Sequence, residues 1–270
     1  MSTTSTSLTR DDAPHFTIDW LEDGAVFTLR RPKKLNSVTR QILDGLSNCL
    51  DALEKRGGRL LVITGEGEKS FCAGTDLAES SRLSRADGEA KNDFARALFY
   101  RLSQSRVISV AAVNGLAFGG GMELAMACLF RIVAPHADMS LPEIKLGVLP
   151  TYGGTQFLPA LVGQSRALDI MLTGRRVGSA EALALGLATR IADSETGLVE
   201  QALAFARSIT CYSQVAIDCT RACAAAAGPQ VTPAGLDAER AQVAIVIESD
   251  DSKEGVRAFL EKRAPVFKHR

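Results

Sequence analysis

Histidine is scarce in this chain of 270 residues, with three in all, and cysteine is modest, with six. The cysteines stand at 49, 72, 128, 211, 219 and 223, without the paired spacing of a zinc site, so no metal centre is expected. Reduced thiols in a cytoplasm are the default state for such a set, and Cys219 and Cys223, four apart, read as small core residues on one helix face. Charge of one sign is missing too: 31 Lys and Arg face 31 Asp and Glu. That balance, without a basic–aromatic stripe, argues against nucleic acid or an anionic membrane surface as partner. The first residues have no apolar h-region, so a secretory signal is not expected, and 1–14, rich in Ser and Thr, read as a disordered tail. A long uninterrupted apolar run is also lacking. The nearest candidate, 107–134, is broken by Asn114, a glycine triplet, Glu123 and Arg131. Charges at mid-span are costly in a bilayer, and the stretch reads instead as strand, turn and buried helix.

What the chain does have is 46% apolar content, enough for a sizeable core, as one large domain or a domain with an appendage. Its organising stretch is 114–123, Asn-Gly-Leu-Ala-Phe-Gly-Gly-Gly-Met-Glu. Bare glycine backbone lets a ligand approach closely, and the helical composition that follows presents free N–H groups with the positive end of a helix dipole. Such a turn suits a bound phosphate or an oxyanion formed during reaction, and Glu123 brings a carboxylate beside it. A tightly packed glycine turn with a solvated Glu would carry the same letters.

Short alternating runs at 16–20 and 25–30, separated by Asp23-Gly24, predict a hairpin. The basic turn Arg31-Pro32-Lys33-Lys34 is either a solvated loop or a set of cations near a phosphorylated ligand. Ser37 or Thr39 caps a helix whose Ile42, Leu43, Leu46, Leu50 and Leu53 recur at helical spacing, ended by Gly57-Gly58. Strands are expected at 59–64, 107–113 and 130–134. Residues 71–77 repeat the theme of strand end, small residues and polar helix entry, in which Asp76 suits an N-cap. Cys72 has no recognisable His partner and is not expected to be a nucleophile. The polar segment 78–92 reads as a mobile flap, and 94–102 as helix. Two short helices are expected over 156–172, and Ser179 as the cap of a helix over 180–185. The recurring strand–turn–helix unit predicts a stack around one core, and from about 195 helical sequence takes over, with a boundary near 200 and a charged helix at 254–262.

Taken in order and at these spacings, several motifs together resemble the crotonase superfamily of enoyl-CoA hydratases and isomerases over nearly the whole chain after about residue 15. They are Arg31-Pro32 with Leu35-Asn36, Ser70 to Leu77, Asn114 to Ala125, Pro142-Glu143 through Gln156, Leu172-Thr173-Gly174, and Glu254-Gly255 through Arg263. The resemblance implies an α/β fold: a spiral of ββα units over 15–200 that holds the acyl-CoA site, and a C-terminal helical trimerisation region over 201–270. It also implies a homotrimer or a dimer of trimers, and an acyl-CoA thioester as ligand. No separate cofactor and no metal are implied, because coenzyme A is part of the substrate.

By that resemblance the oxyanion hole is the pair of backbone N–H groups of Thr75 and Gly120. Glu123 is the base that orients and activates water, and Glu143 is the acid that protonates the α-carbon. Ligand-holding positions carry over to Lys34, Leu35, Ala73, Asp76, Leu77 and Thr151, and to Phe259 and Lys262, which would reach the ligand of a neighbouring subunit. The expected reaction is addition of water across the 2,3 double bond of a 2-enoyl-CoA. Glu143 alone would suffice for an isomerase, a cyclic or aromatic acyl group is another reading, and a non-catalytic CoA- or RNA-binding relative is a third. Leu129, Leu141 and Thr151 stand where many relatives carry Asp, Gln and Gly, which makes the site more apolar and more crowded.

Overall fold

The first ordered strand lies inside the segment expected to be a disordered tail. β1 (Thr9–Asp12) pairs antiparallel with β2 (Phe16–Trp20), and Trp20 Nε1 donates to Asp11 at 2.7 Å. All four β1 residues are exposed, so composition marks them as tail, whereas the free ladder edge of β2 gives their backbone partners. The structure is a computed structural model that describes residues 8–193, 197–227 and 232–270. Residues 1–7 of the expected tail lie outside that set, as do 194–196, where helical sequence was expected to begin.

β3 (Gly24–Leu29) closes the expected hairpin. After a 3-10 turn at Pro32–Lys34 comes α1 (Arg40–Arg56), whose first turn is capped by the Thr39 hydroxyl and whose end is closed by Gly57 at φ 67°. β4 (Leu60–Gly65), β5 (Ser70–Cys72), α2 (Leu77–Ser80) and α3 (Arg85–Gln104) follow. The expected flap over 78–92 is therefore two helices. Asp76 caps the first, accepting from Ala78 and Glu79 N, and Ser84 caps the second. Local capping orders a segment whose apolar pattern is weak.

Next in the chain are β6 (Ile108–Val113), β7 (Leu116–Phe118), α4 (Gly120–Ala127), β8 (Phe130–Val133), β9 (Asp138–Ser140) and a 3-10 turn at Glu143–Leu146. The first unit ends through α5 (Gly154–Val162), α6 (Gln164–Thr173), β10 (Val177–Gly178), α7 (Ser179–Leu185), β11 (Arg190–Ile191) and most of α8 (Leu198–Thr210). Gly178, not Ser179, is the cap of α7. Ser179 is its first residue, and its hydroxyl donates to Pro135 O at 2.6 Å instead.

Among the described residues the strands form two sheets, one ordered β1-β2-β3-β4-β6-β8-β11 and one ordered β10-β9-β7-β5. From β3 to β11 the large sheet is parallel, and β5, β7 and β9 are parallel neighbours in the small one. Three times in succession, at β4/β5, β6/β7 and β8/β9, the chain lays one strand in the large sheet and the next in the small sheet, then enters a helix or 3-10 turn. This is a spiral of ββα units. Its large-sheet strands read as continuous apolar runs because they are buried on both faces.

The chain divides into two compact units, Met1–Ala206 and Arg207–Arg270. The second is helical, with α9 (Gln214–Ala226), α10 (Pro233–Glu248) and α11 (Asp250–Leu260) after the end of α8. In it Cys219 is buried and Cys223 half-buried. Its last residues are clasped by α11: Asp251 accepts from Lys268 N at 2.6 Å and His269 N at 3.1 Å, and Glu254 accepts from Val266 N at 3.1 Å.

Candidate active site

The three parallel strands of the small sheet end side by side, and each releases one candidate residue two or three positions later: Thr75 after β5, Gly120 after β7 and Glu143 after β9. Clustering at the carboxyl ends of adjacent parallel strands is the geometry by which α/β folds build sites. The exits are pressed together. A methyl on Gly74, at φ 104°, would stand 3.1 Å from Phe118 O and 3.6 Å from Gly120 N. Gly119 N donates to Ser140 O at 2.9 Å, which ties the β7 exit to the end of β9.

The two candidate amides are uncommitted for different reasons. Thr75 faces Val38 across an isolated parallel bridge in which Val38 N donates to Gly74 O and Asp76 N donates to Val38 O. The middle residue of such a bridge turns its own N–H the other way. Gly120 opens α4, so its N–H precedes the helical ladder. Among the described residues neither amide donates to another protein group.

Two carboxylates flank this turn. Glu123 lies in the first turn of α4 and is 1% exposed. Its Oε1 accepts from Tyr152 N and from Gly154 N, both at 2.8 Å. Burial pushes its pKa up to about 7, the two amides oppose the rise, and the Glu143 carboxylate adds to it. Glu143 opens the 3-10 turn after Pro142, where a methyl on Gly119 would meet its Oε1 at 2.9 Å. Its Oε2 is buried without a hydrogen-bond partner, and burial raises its pKa as well. The arrangement thus offers two uncommitted amides at neighbouring strand exits and two carboxyls whose pKa values burial raises, which is equipment suited to moving protons beside a developing negative charge.

The remaining candidates divide. Leu35, at φ 49°, accepts from Ala73 N at 2.9 Å through its carbonyl, so the Lys34–Leu35 turn lies against the β5 exit. Lys34 and Leu77 are exposed. The Asp76 carboxylate is committed to capping α2 and to Arg31, 2.7 Å away. Thr151 is half-buried, and its carbonyl accepts from Arg96 Nε at 3.3 Å. Phe259, 82% exposed, and Lys262, also exposed, belong to the second unit. Cys72 is buried, with its thiol pushed up to about 12 by desolvation, and is not a nucleophile at neutral pH. Tyr152 escaped sequence reasoning, although the run Thr-Tyr-Gly-Gly before a helix held the signal. Besides its N–H bond to Glu123, its phenol oxygen accepts from the Thr75 hydroxyl at 2.9 Å.

Residues 23–270 match the family model described as enoyl-CoA hydratase/isomerase. A probable enoyl-CoA hydratase of Bacillus subtilis is 37% identical over 246 residues, covering 90% of this chain and 95% of its own length. A crotonyl-CoA hydratase of Syntrophomonas wolfei is 34% identical over 90% of this chain and 94% of its own. The crystal structure of an enoyl-CoA hydratase from Bacillus anthracis superposes with a TM-score of 0.88 at 34% identity, covering 95% of this chain and all of that one. The α/β spiral is therefore the crotonase fold, and the chain belongs to the enoyl-CoA hydratase/isomerase family.

Proposed function

We propose that the chain is an enoyl-CoA hydratase that adds water across the 2,3 double bond of a 2-enoyl-CoA to give a 3-hydroxyacyl-CoA. The observation that carries this reading is the pair Glu123 and Glu143 on either side of one glycine turn whose neighbouring amides, Thr75 and Gly120, are uncommitted. In the proposed reaction those amides receive the thioester oxygen, which gains charge as the α-carbon becomes enolate-like. A donor so placed is worth about 3–4 kcal/mol in comparable sites. Glu123, fixed by two amides and ionised above pH 7, takes a proton from water as its oxygen bonds to C3. Glu143, whose carboxyl burial makes a weaker acid than usual, delivers a proton to C2. Overall one O–H bond of water and the C2–C3 π bond break, one C–O and one C–H bond form, and proton exchange returns the two carboxyls to their starting states.

An isomerase would move a proton between C2 and C4 with Glu143 alone and has no use for a second, rigidly held carboxylate. The held Glu123 therefore favours hydration. As part of the same reading, we infer assembly as a homotrimer or dimer of trimers through the second unit, where α10 has no buried residue.

Incubation with a panel of 2-enoyl- and 3-enoyl-CoAs tests the reaction. Loss of the conjugated-enoyl absorbance on 2-enoyl substrates is expected, and turnover of 3-enoyl substrates only would make the chain an isomerase. Glu143→Gln is expected to lower kcat by about 10³-fold with KM nearly unchanged, within the range of general acid catalysis. An equal loss of binding and rate would make Glu143 structural.

A further inference from the structure

Tyr152 touches three of the four groups just assigned, and nothing in the proposed chemistry uses its side chain. It is 1% exposed, and its ring is fixed edge-to-face on Phe99, with centroids 5.6 Å apart and an interplanar angle of 88°. Its main-chain N–H holds Glu123 Oε1. Its phenol oxygen receives the Thr75 hydroxyl, the bond that anchors that side chain. Its ring edge stands where a methyl on Gly120 would come within 3.0 Å of Cδ2 and Cε2, and that same methyl would lie 3.4 Å from Thr75 Oγ1. Tyr152 thus forms the wall behind both amide donors and one of the two supports of the base.

We propose that Tyr152 is a positioning residue, whose hydroxyl fixes the Thr75 amide relative to the Gly120 amide while its own N–H fixes Glu123. The inference rests on reading the site as one that stabilises a thioester enolate. Thr75 follows a glycine at φ 104°, a junction soft enough to pivot, and its backbone is held on one side only, by the Val38 bridge. The hydroxyl pair supplies the second point. Removing either hydroxyl leaves the other without this partner and frees the amide to turn, and misplacement by about 1 Å in such a site costs on the order of 10²-fold in rate.

The test compares Tyr152→Phe, Thr75→Val, Thr75→Ser and the Tyr152→Phe/Thr75→Val pair. Two readouts are used: steady-state kinetics on 2-butenoyl-CoA, and the enolate absorbance of bound 3-oxobutanoyl-CoA at saturation. Tyr152→Phe is expected to lower kcat by about 10- to 100-fold with KM shifted less than about threefold, because the lost contact acts on the transition state. Thr75→Val is expected to match it, the pair to be no worse than the poorer single variant, and Thr75→Ser to recover most of what Thr75→Val loses. The enolate signal should fall in Tyr152→Phe. A Tyr152→Phe enzyme with kcat within twofold of the parent, or losses that multiply in the pair, would overturn the proposal and leave Tyr152 as filler. If the parent protein hydrates no 2-enoyl-CoA, the hydratase reading fails by itself. The enolate signal, and its change in Tyr152→Phe, would still decide the role of this residue.

Discussion

Glu123 shows the conflict between stability and chemistry at a single residue. Its pKa is near 7 in the folded chain against an ordinary 4.5, because burial, helped by the Glu143 carboxylate, penalises the charge more than the two amides and Arg96 relieve it. Below about pH 4.5 both folded and unfolded forms carry the proton, and the residue costs nothing. Between 4.5 and 7 the folded form keeps a proton that the unfolded form has released, so stability falls as pH rises. Above 7 the penalty is complete, on the order of 3 kcal/mol. Glu123→Gln keeps the single oxygen that accepts from Tyr152 and Gly154 and removes the charge. It is expected to raise the urea midpoint relative to the parent at pH 8, to leave it unchanged at pH 4.5, and to lower hydration by about 10²-fold or more. Unfolding curves at the two pH values check this, and a variant destabilised at pH 8 would contradict it. Both glutamates were legible in the sequence, one beside a glycine triplet and one after a proline. The glycines after Tyr152 marked a turn into a helix, but the duty of its side chain was not legible, because its hydroxyl's partner lies 77 residues away.

At the scale of elements, what could be read was what is long. The buried strands at 60–65 and 108–113 and the amphipathic α1 announce themselves by continuous or periodic apolar residues. The small sheet does not, because its strands have two or three residues each and β7 lies inside the glycine-rich stretch itself. Yet this sheet places the site, and its demand for close approach explains the triplet. Gly119 takes φ 51° beside Glu143, whereas Gly121 lies where a methyl would stand 2.0 Å from Cys72 O. That obstacle is backbone, at the end of β5, and cannot rotate aside. Gly121→Ala therefore forces α4 away from β5 and with it Gly120 from Thr75. It is expected to destabilise the fold by more than about 3 kcal/mol and to abolish turnover, as overpacking against a rigid neighbour does. Cys72→Ala removes a side chain but not that carbonyl, so it should not rescue the variant. Thermal melts of the two single variants and the pair check the point.

At the scale of the whole molecule, the first unit carries the donors and both carboxyls, and the second carries a surface that the chain alone leaves wet. α10 has no buried residue, although Leu236, Val243 and Ile247, spaced by seven and four, form one helical stripe and are 54%, 46% and 62% exposed. A stripe of this kind on a well-capped helix, with Thr232 accepting from Gly235 N and Pro233 in the first turn, is a helix made to be covered. On the proposed trimer its cover is another copy of the chain. Ile247→Glu places a charge on this stripe, where desolvation without a partner is strongly unfavourable. It is expected to shift the protein from trimer or hexamer to monomer in light scattering at micromolar concentration, with the far-UV spectrum little changed because the residue is solvated in the single chain. If the parent is itself monomeric, or if Ile247→Glu leaves the assembly intact, copies of this chain do not meet through α10.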